Sequence, residues 1–236
     1  MFAGYHTNSS KMEVEEAVVI HNGSHCIQAG FAGDDSPRAV FPNLVGRPRN
    51  TNIVPSIQNM LIGDAAMSKR GLLTLTYPVK EGYIVNWEDM EKIWEHTLNE
   101  ELRIPPEEAK VLLTEPPLNP EHDREKMIEI MLEHFHTPAA FIAVQQVLSL
   151  YAAGKCTGVV VDCGYEVFHT VPIIESRVQN AGVQKASVGG KDLTFHLRKI
   201  LYERNTNLVT PSEQSCRGSS FKQYHAEQVD NQTGIQ

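Results

Sequence analysis

The stretch Ala29-Gly-Phe-Ala-Gly-Asp-Asp-Ser-Pro-Arg38 decides how the rest of the chain reads. Small residues, paired acids and a proline make it a loop, because glycine frees the backbone and proline fixes φ. It runs on into Phe41-Pro42 and Gly46-Arg-Pro-Arg49. Just before it, Ala17-Val-Val-Ile20 predicts a buried strand and Cys26-Ile-Gln-Ala29 its antiparallel return. The turn between them falls at Asn22-Gly23-Ser24-His25.

Downstream, strands begin to alternate with helices. Asn86 suits an N-cap, with Glu88 and Asp89 in the first turn. Met90, Ile93, Trp94 and Thr97 recur at helical spacing and predict a core face. Val111-Leu-Leu-Thr114 reads as a short buried strand. Asn119-Pro120 predicts the cap and first position of a helix from Glu121 to about Phe135. Phe141-Ile-Ala-Val144 is a further strand, and Gln146 to Ala153 a buried helix stopped by Gly154. Gly158-Val-Val-Val-Asp162 predicts a central strand ending on an acid, whose hairpin continues through Val167 to Ile174. Leu193, Leu197, Ile200 and Leu201 mark a last amphipathic helix after Gly189-Gly190. Hairpins followed by this alternation predict an α/β protein.

Composition narrows the partners. A net charge of −8 argues against nonspecific nucleic-acid binding. No uninterrupted apolar run approaches bilayer length, and Met1 to Met12 lacks the apolar core of a signal peptide, so no membrane is expected. Cys26, Cys156, Cys163 and Cys216 form no C-x-x-C pair, which suggests neither zinc nor redox chemistry. They read as reduced thiols of an intracellular protein.

More strings continue the pattern that opens at Ala29. These are Asp64, Ser68-Lys-Arg-Gly71, Asn86-Trp87, Asp89-Met-Glu-Lys-Ile-Trp94, Leu112-Leu-Thr-Glu115, Pro117-Leu-Asn-Pro120 and Arg124-Glu-Lys-Met127. Val147-Leu-Ser-Leu-Tyr-Ala152 and His169-Thr-Val-Pro172 close the set. In this collinear order they resemble the actin family, over about residues 12 to 210. The resemblance implies an actin-like, ribonuclease-H-like ATPase lobe with an incomplete second lobe. It divides the chain into a flexible extension at 1–12 and a first lobe at 13–155, with a small mobile insertion at about 46–80. The start of a second lobe follows at 156–211. Met12-Glu-Val-Glu-Glu16 resembles the acidic start of actins, a partner-binding surface in that family or otherwise a solvated tail. The inter-subunit loop, here Asn50 to Met60, departs from the family pattern, and Pro55 disfavours a regular strand there.

Two hairpin loops grip the ATP phosphates in this family. Glycine turns can aim backbone N–H groups at an anion, and carboxylates orient Mg²⁺ through water. The resemblance implies Asn22, Gly23 and Ser24 in the first loop and Asp162, Gly164 and Val167 in the second. Asp162 would serve the metal, and Gly190 would lie near sugar and base or simply open a helix. Gln145 and His169 match the family's water-positioning pair, or are inherited packing residues. Against the pattern, His21 replaces an acid, His25 and Glu166 replace glycines, Gln28 replaces a lysine, and Tyr165 an aspartate. Glu81 stands where the family has a methylatable histidine. A non-glycine residue forced to positive φ costs about 1–2 kcal/mol, so both turns are expected to be strained or rebuilt. ATP and Mg²⁺ are therefore expected to bind weakly or not at all.

The resulting expectation is a cytoplasmic, cytoskeletal structural protein that acts by binding proteins, actin or actin-binding proteins among them. The alternatives are an actin-type ATPase, or a truncated isoform without independent activity. A sugar-kinase or chaperone relative shares the lobe but not the quoted strings. Residues 212–236 are polar, poor in aliphatics and aperiodic, which predicts disorder. Limited proteolysis should therefore remove 212–236 first and leave a resistant core; a tail protected as well as the core would refute this.

Overall fold

The computed structural model describes residues 17–49 and 60–204. The expectations for 1–12, for most of the loop at 50–60 and for 212–236 lie outside the described residues.

The strands are β1 (Val18–Asn22), β2 (Cys26–Phe31), β3 (Ala39–Pro42), β4 (Val45–Pro48) and β5 (Leu61–Ile62), after which comes helix α1 (Gly63–Ser68). Then come β6 (Leu73–Thr76), β7 (Val79–Lys80), β8 (Tyr83–Ile84), α2 (Trp87–His96), β9 (Lys110–Glu115), α3 (Glu121–Glu129) and β10 (Ala139–Val144). The rest are α4 (Gln145–Ala152), β11 (Gly158–Cys163), β12 (Phe168–Ile174), β13 (Arg177–Val178), β14 (Gln184–Ala186) and α5 (Gly190–Glu203). A five-stranded mixed sheet has the order β10-β9-β1-β2-β3. Its hairpin half is antiparallel, and β9 and β10 join parallel to β1. In the second sheet β11 pairs with β12, and β13 and β14 both pair with the other edge of β12. A small sheet, β5-β4-β6, closes with α1 over its own cluster of Leu44, Ala66 and Leu73.

Period-two alternation sets the main core. Val18, Ile20 and Asn22 are buried while Val19 and His21 are less so. Val18 and Ile20 share one cluster with Met90, Ile93 and Trp94 of α2, Leu98 after it, Met127 of α3, and Ile130 and Met131 beyond α3. Each such side chain contributes on the order of 1.5–3 kcal/mol by leaving water. The start of α2 is fixed by Asn86, whose side-chain oxygen accepts from the Asp89 N–H at 3.1 Å. Asp89 is wholly buried, pairs bidentately with Arg47 of β4, and accepts from Asn86 Nδ2 at 3.0 Å. One carboxylate thus ties the small sheet to the main core.

Four expectations change. Pro120, not Asn119, takes the cap position of α3; Asn119 instead donates to the buried Glu115 carboxylate at 3.1 Å, beside Arg124. The helix runs only to Glu129 and then widens into a π-type turn at Ile130–His134. Among the described residues β11 is an edge strand rather than a central one, so Val159 and Val161 stand 63% and 60% exposed. Helix α4 is only partly buried, with Gln146 and Leu150 inward. No helix among the described residues is long and apolar enough to cross a membrane.

Removing Arg47 strands a buried carboxylate, whereas removing both partners does not. Arg47→Met should cost about 2–3 kcal/mol in urea unfolding, at the low end for a buried pair because the arginine is partly exposed. The double variant Arg47→Met/Asp89→Asn should recover part of that loss. A double variant as unstable as the sum of the single ones would contradict this account.

Candidate functional site

The first loop is anchored before it can reach anything. The Asn22 side-chain oxygen accepts from Trp94 Nε1 at 3.0 Å, and its Nδ2 donates to the Thr114 carbonyl at 3.1 Å. The Asn22 N–H donates to Thr114 Oγ1 at 3.1 Å, and His21 Nδ1 lies 3.0 Å from the same oxygen. That hydroxyl keeps one proton to give, which suits the Nδ1 of a neutral imidazole as acceptor. Asn22 therefore orients the turn from the core side. The turn closes tightly at Gly23, where an added Cβ would come within 2.6 Å of the Cys26 carbonyl oxygen.

The second loop mirrors it. The Gly164 N–H donates to the Val167 carbonyl at 2.9 Å, and an added Cβ at Gly164 would meet that oxygen at the same distance. Val167 is buried, and its carbonyl is taken up by this bond. The Gly190 N–H donates to the Gly164 carbonyl at 3.0 Å, so Gly190 fastens the start of α5 to the loop. Gly189, rather than Gly190, is the position that demands glycine, because a Cβ there would lie 2.3 Å from the Tyr165 carbonyl oxygen. The expected strain is absent. Neither His25 nor Glu166 takes a positive φ, so both turns are rebuilt in ordinary backbone regions.

Asp162 gathers the rest. Its Oδ2 accepts from Gln146 Nε2 at 2.7 Å and from Gln145 Nε2 at 3.3 Å. His169 sits opposite Asp162 in the hairpin register, 2% exposed, with neither ring nitrogen paired. Burial pushes the His169 imidazole below its ordinary value; Asp162 pulls the other way, and Lys185 adds to the lowering. Burial also lowers His21, again opposed by Asp162. Both rings are thus neutral at pH 7.

The two loops then meet each other. The His25 and Tyr165 rings stack with centroids 4.2 Å apart. Glu166 accepts from the Glu81 N–H at 2.7 Å and from Lys191 Nζ at 3.4 Å. Ser24 Oγ accepts from the Gly82 N–H at 2.9 Å, and Lys185 pairs with the Glu81 carboxylate at 2.8 Å. The β7–β8 turn, Glu81-Gly82, is the meeting point.

This arrangement does not fit a magnesium–phosphate group. His21 cannot supply the oxygen that Mg²⁺ prefers. Gly164 spends its N–H within its own turn. Glu166 sets a carboxylate between the loops, where a like charge at about 4 Å costs roughly 4 kcal/mol at an effective dielectric near 20. Among the described residues no cluster of acids, histidines and cysteines is arranged to hold a metal. Sequence reasoning missed Gln146, Lys185 and Lys191. Gln146 had a signal, as a second amide opening an otherwise apolar helix. The lysines had a fainter one, as cations flanking Gly189-Gly190 in a chain with a new acid at Glu166.

A hairpin-led mixed sheet, a second sheet led by another hairpin, and two facing turns between them define the α/β class of cleft proteins with an actin-like fold. The family model for actin matches residues 12–233, and the chain belongs to the actin family. The match begins where the resemblance begins and runs past residue 210, where the resemblance ends.

The two lowered imidazoles set a pH dependence. Their ordinary value is 6.5, so as pH falls below it the unfolded chain binds protons first and stability declines. Their slope fades to nothing about one pH unit above 6.5. Asp34 and Glu81 are lowered by Arg38 and Lys185, so their losses begin only below their ordinary 3.8 and 4.5. Urea unfolding from pH 7 to 5 should show the decline, and His169→Gln should flatten it by about half. An unchanged slope in the variant would remove His169 from this account.

Proposed function

We propose that this actin-family chain is a cytoskeletal, cytoplasmic structural protein that works by binding other proteins, actin or actin-binding proteins among them, with its nucleotide site disabled. The observation that carries the reading is the direct meeting of the two loops in the His25–Tyr165 stack, with the Glu166 carboxylate bound to the Glu81 N–H. Phosphoryl chemistry depends on aligning metal, phosphate and water together, and that alignment has no room to be kept here. Exposed apolar side chains support a binding role. Phe195 and Tyr202, seven residues apart on one face of α5, are 69% and 70% exposed, an apolar pair open to contact with other molecules.

The second reading is an actin-type ATPase with Gln145 and His169 as its water-positioning pair, Asp162 holding the metal, and Gly23, Ser24, Gly164 and Gly190 around the nucleotide. It is favoured by the 3.3 Å contact of Gln145 with Asp162 and the placement of His169 across from it. Against it stands the pairing of that same carboxylate oxygen with Gln146 at 2.7 Å.

Calorimetry with Mg-ATP beside a phosphate-release assay separates the two. The expected result is half-saturation no tighter than about 1 mM and no turnover above background. Tight saturable binding, with turnover abolished in His169→Ala, would establish the ATPase reading instead. Affinity capture from cytosol should retain actin or an actin-binding protein; capture that retains neither counts against the partner class.

A further inference from the structure

Glu81 is the feature that the nucleotide comparison leaves unexplained. It holds φ +50, a left-handed conformation unfavourable for a side-chain-bearing residue. Such conformations persist where the surroundings over-determine them. Here its N–H is held by Glu166 and its carboxylate by Lys185, and the adjacent Gly82 N–H is held by Ser24. Glu166 and Lys185 come from the second sheet and Ser24 from the first. The turn is therefore gripped from both sides. The His25–Tyr165 stack closes the remaining gap directly.

We propose that the Glu81-Gly82 turn, Glu166, Ser24 and the His25–Tyr165 stack form a permanent clasp that keeps the two sheets' loops closed with no ligand between them. The Glu166 carboxylate acts as a built-in anion. It takes a backbone N–H at 2.7 Å and a lysine ammonium at 3.4 Å, the two kinds of donor that serve a bound phosphate elsewhere. The clasp deepens the reading of a disabled nucleotide site and rests on it. In a protein that acts only by binding, it would hold the surface shape constant whatever the nucleotide supply.

Amide hydrogen exchange on the full chain tests it, because the two bridging N–H groups belong to Glu81 and Gly82. Without nucleotide, both amides should exchange at least tenfold more slowly than an unstructured peptide. Glu166→Ala should speed the Glu81 amide at least tenfold, and Tyr165→Ala should speed both. Glu166→Gln, which keeps an acceptor oxygen, should stay within about threefold of the parent. The amides of Ile20 and Leu113 in the main sheet should not change, which separates opening of the clasp from loss of the fold. Parent amides that already exchange freely, or rates indifferent to Glu166→Ala and Tyr165→Ala, would overturn the proposal. Added Mg-ATP that slows these two amides tenfold would also overturn it, by making a ligand the closing element. ATP that binds in calorimetry without touching these amides would sink the disabled-site reading and leave the clasp standing.

Discussion

Asn22 is the constraint on which the rest of this structure hangs. It ends the central strand of the main sheet, buried, and all its polar groups near the core are used at once. It receives the indole N–H of Trp94, gives its amide to the Thr114 carbonyl, and gives its own N–H to the Thr114 hydroxyl. Each bond adds only about 1 kcal/mol, but leaving any of these buried groups unpaired costs about 1–3 kcal/mol. The helix α2, the parallel strand β9 and the first hairpin are therefore locked in one relative position. The Gly23-Ser24-His25 turn leaves this anchor in a fixed direction, which is why it meets the second sheet's turn.

From that anchor the geometry runs outward through two matched devices. In each loop a glycine allows a tight return, against the Cys26 carbonyl in one and the Val167 carbonyl in the other. In each, the turn then presents side chains to the opposite loop rather than bare N–H groups. His25 and Tyr165 supply the flat contact, and Ser24 and Glu166 supply the polar one through the Glu81-Gly82 turn. The substitutions that depart most from the family pattern are thus paired with one another. An imidazole opposite a phenol, and an acid opposite a backbone donor with a lysine near, are complementary sets. Isolated losses would have left unpaired groups behind.

Local signals made much of this fold legible. The first hairpin, the Asn86 cap and the Met90, Ile93 and Trp94 face depend on neighbours within a few residues, and they appear where the pattern puts them. The sequence could not disclose that Asn119 serves Glu115 or that β11 is an edge, since both are decided by distant partners. In the site, the structure brings Gln145 and His169 beside Asp162, three positions that the resemblance had singled out without stating their contact. The Asn22 side chain and the Val167 carbonyl, which the resemblance placed beside the nucleotide, are bonded within the protein. The Glu166–Glu81 contact spans 85 positions along the chain, and nothing local to either residue announces it.

The energetics of the clasp decide what a phosphate would face between these loops. To enter, it must separate the His25–Tyr165 stack, worth about 0.5–1.5 kcal/mol beyond its buried area. It must also release the Glu166 carboxylate from the Glu81 N–H, a charge-assisted bond worth about 1.5–3 kcal/mol. Lys191 is mostly exposed and its attraction to Glu166 is screened, so it adds little to either side. The opening cost is thus on the order of 2–4 kcal/mol, and each 1.4 kcal/mol is a factor of ten in affinity. A ligand that must first open the clasp loses between one and three powers of ten before its own repulsion from Glu166 is counted. Closure is therefore the state that requires no ligand, and the interface between the two sheets keeps its shape through bonds encoded in the chain itself.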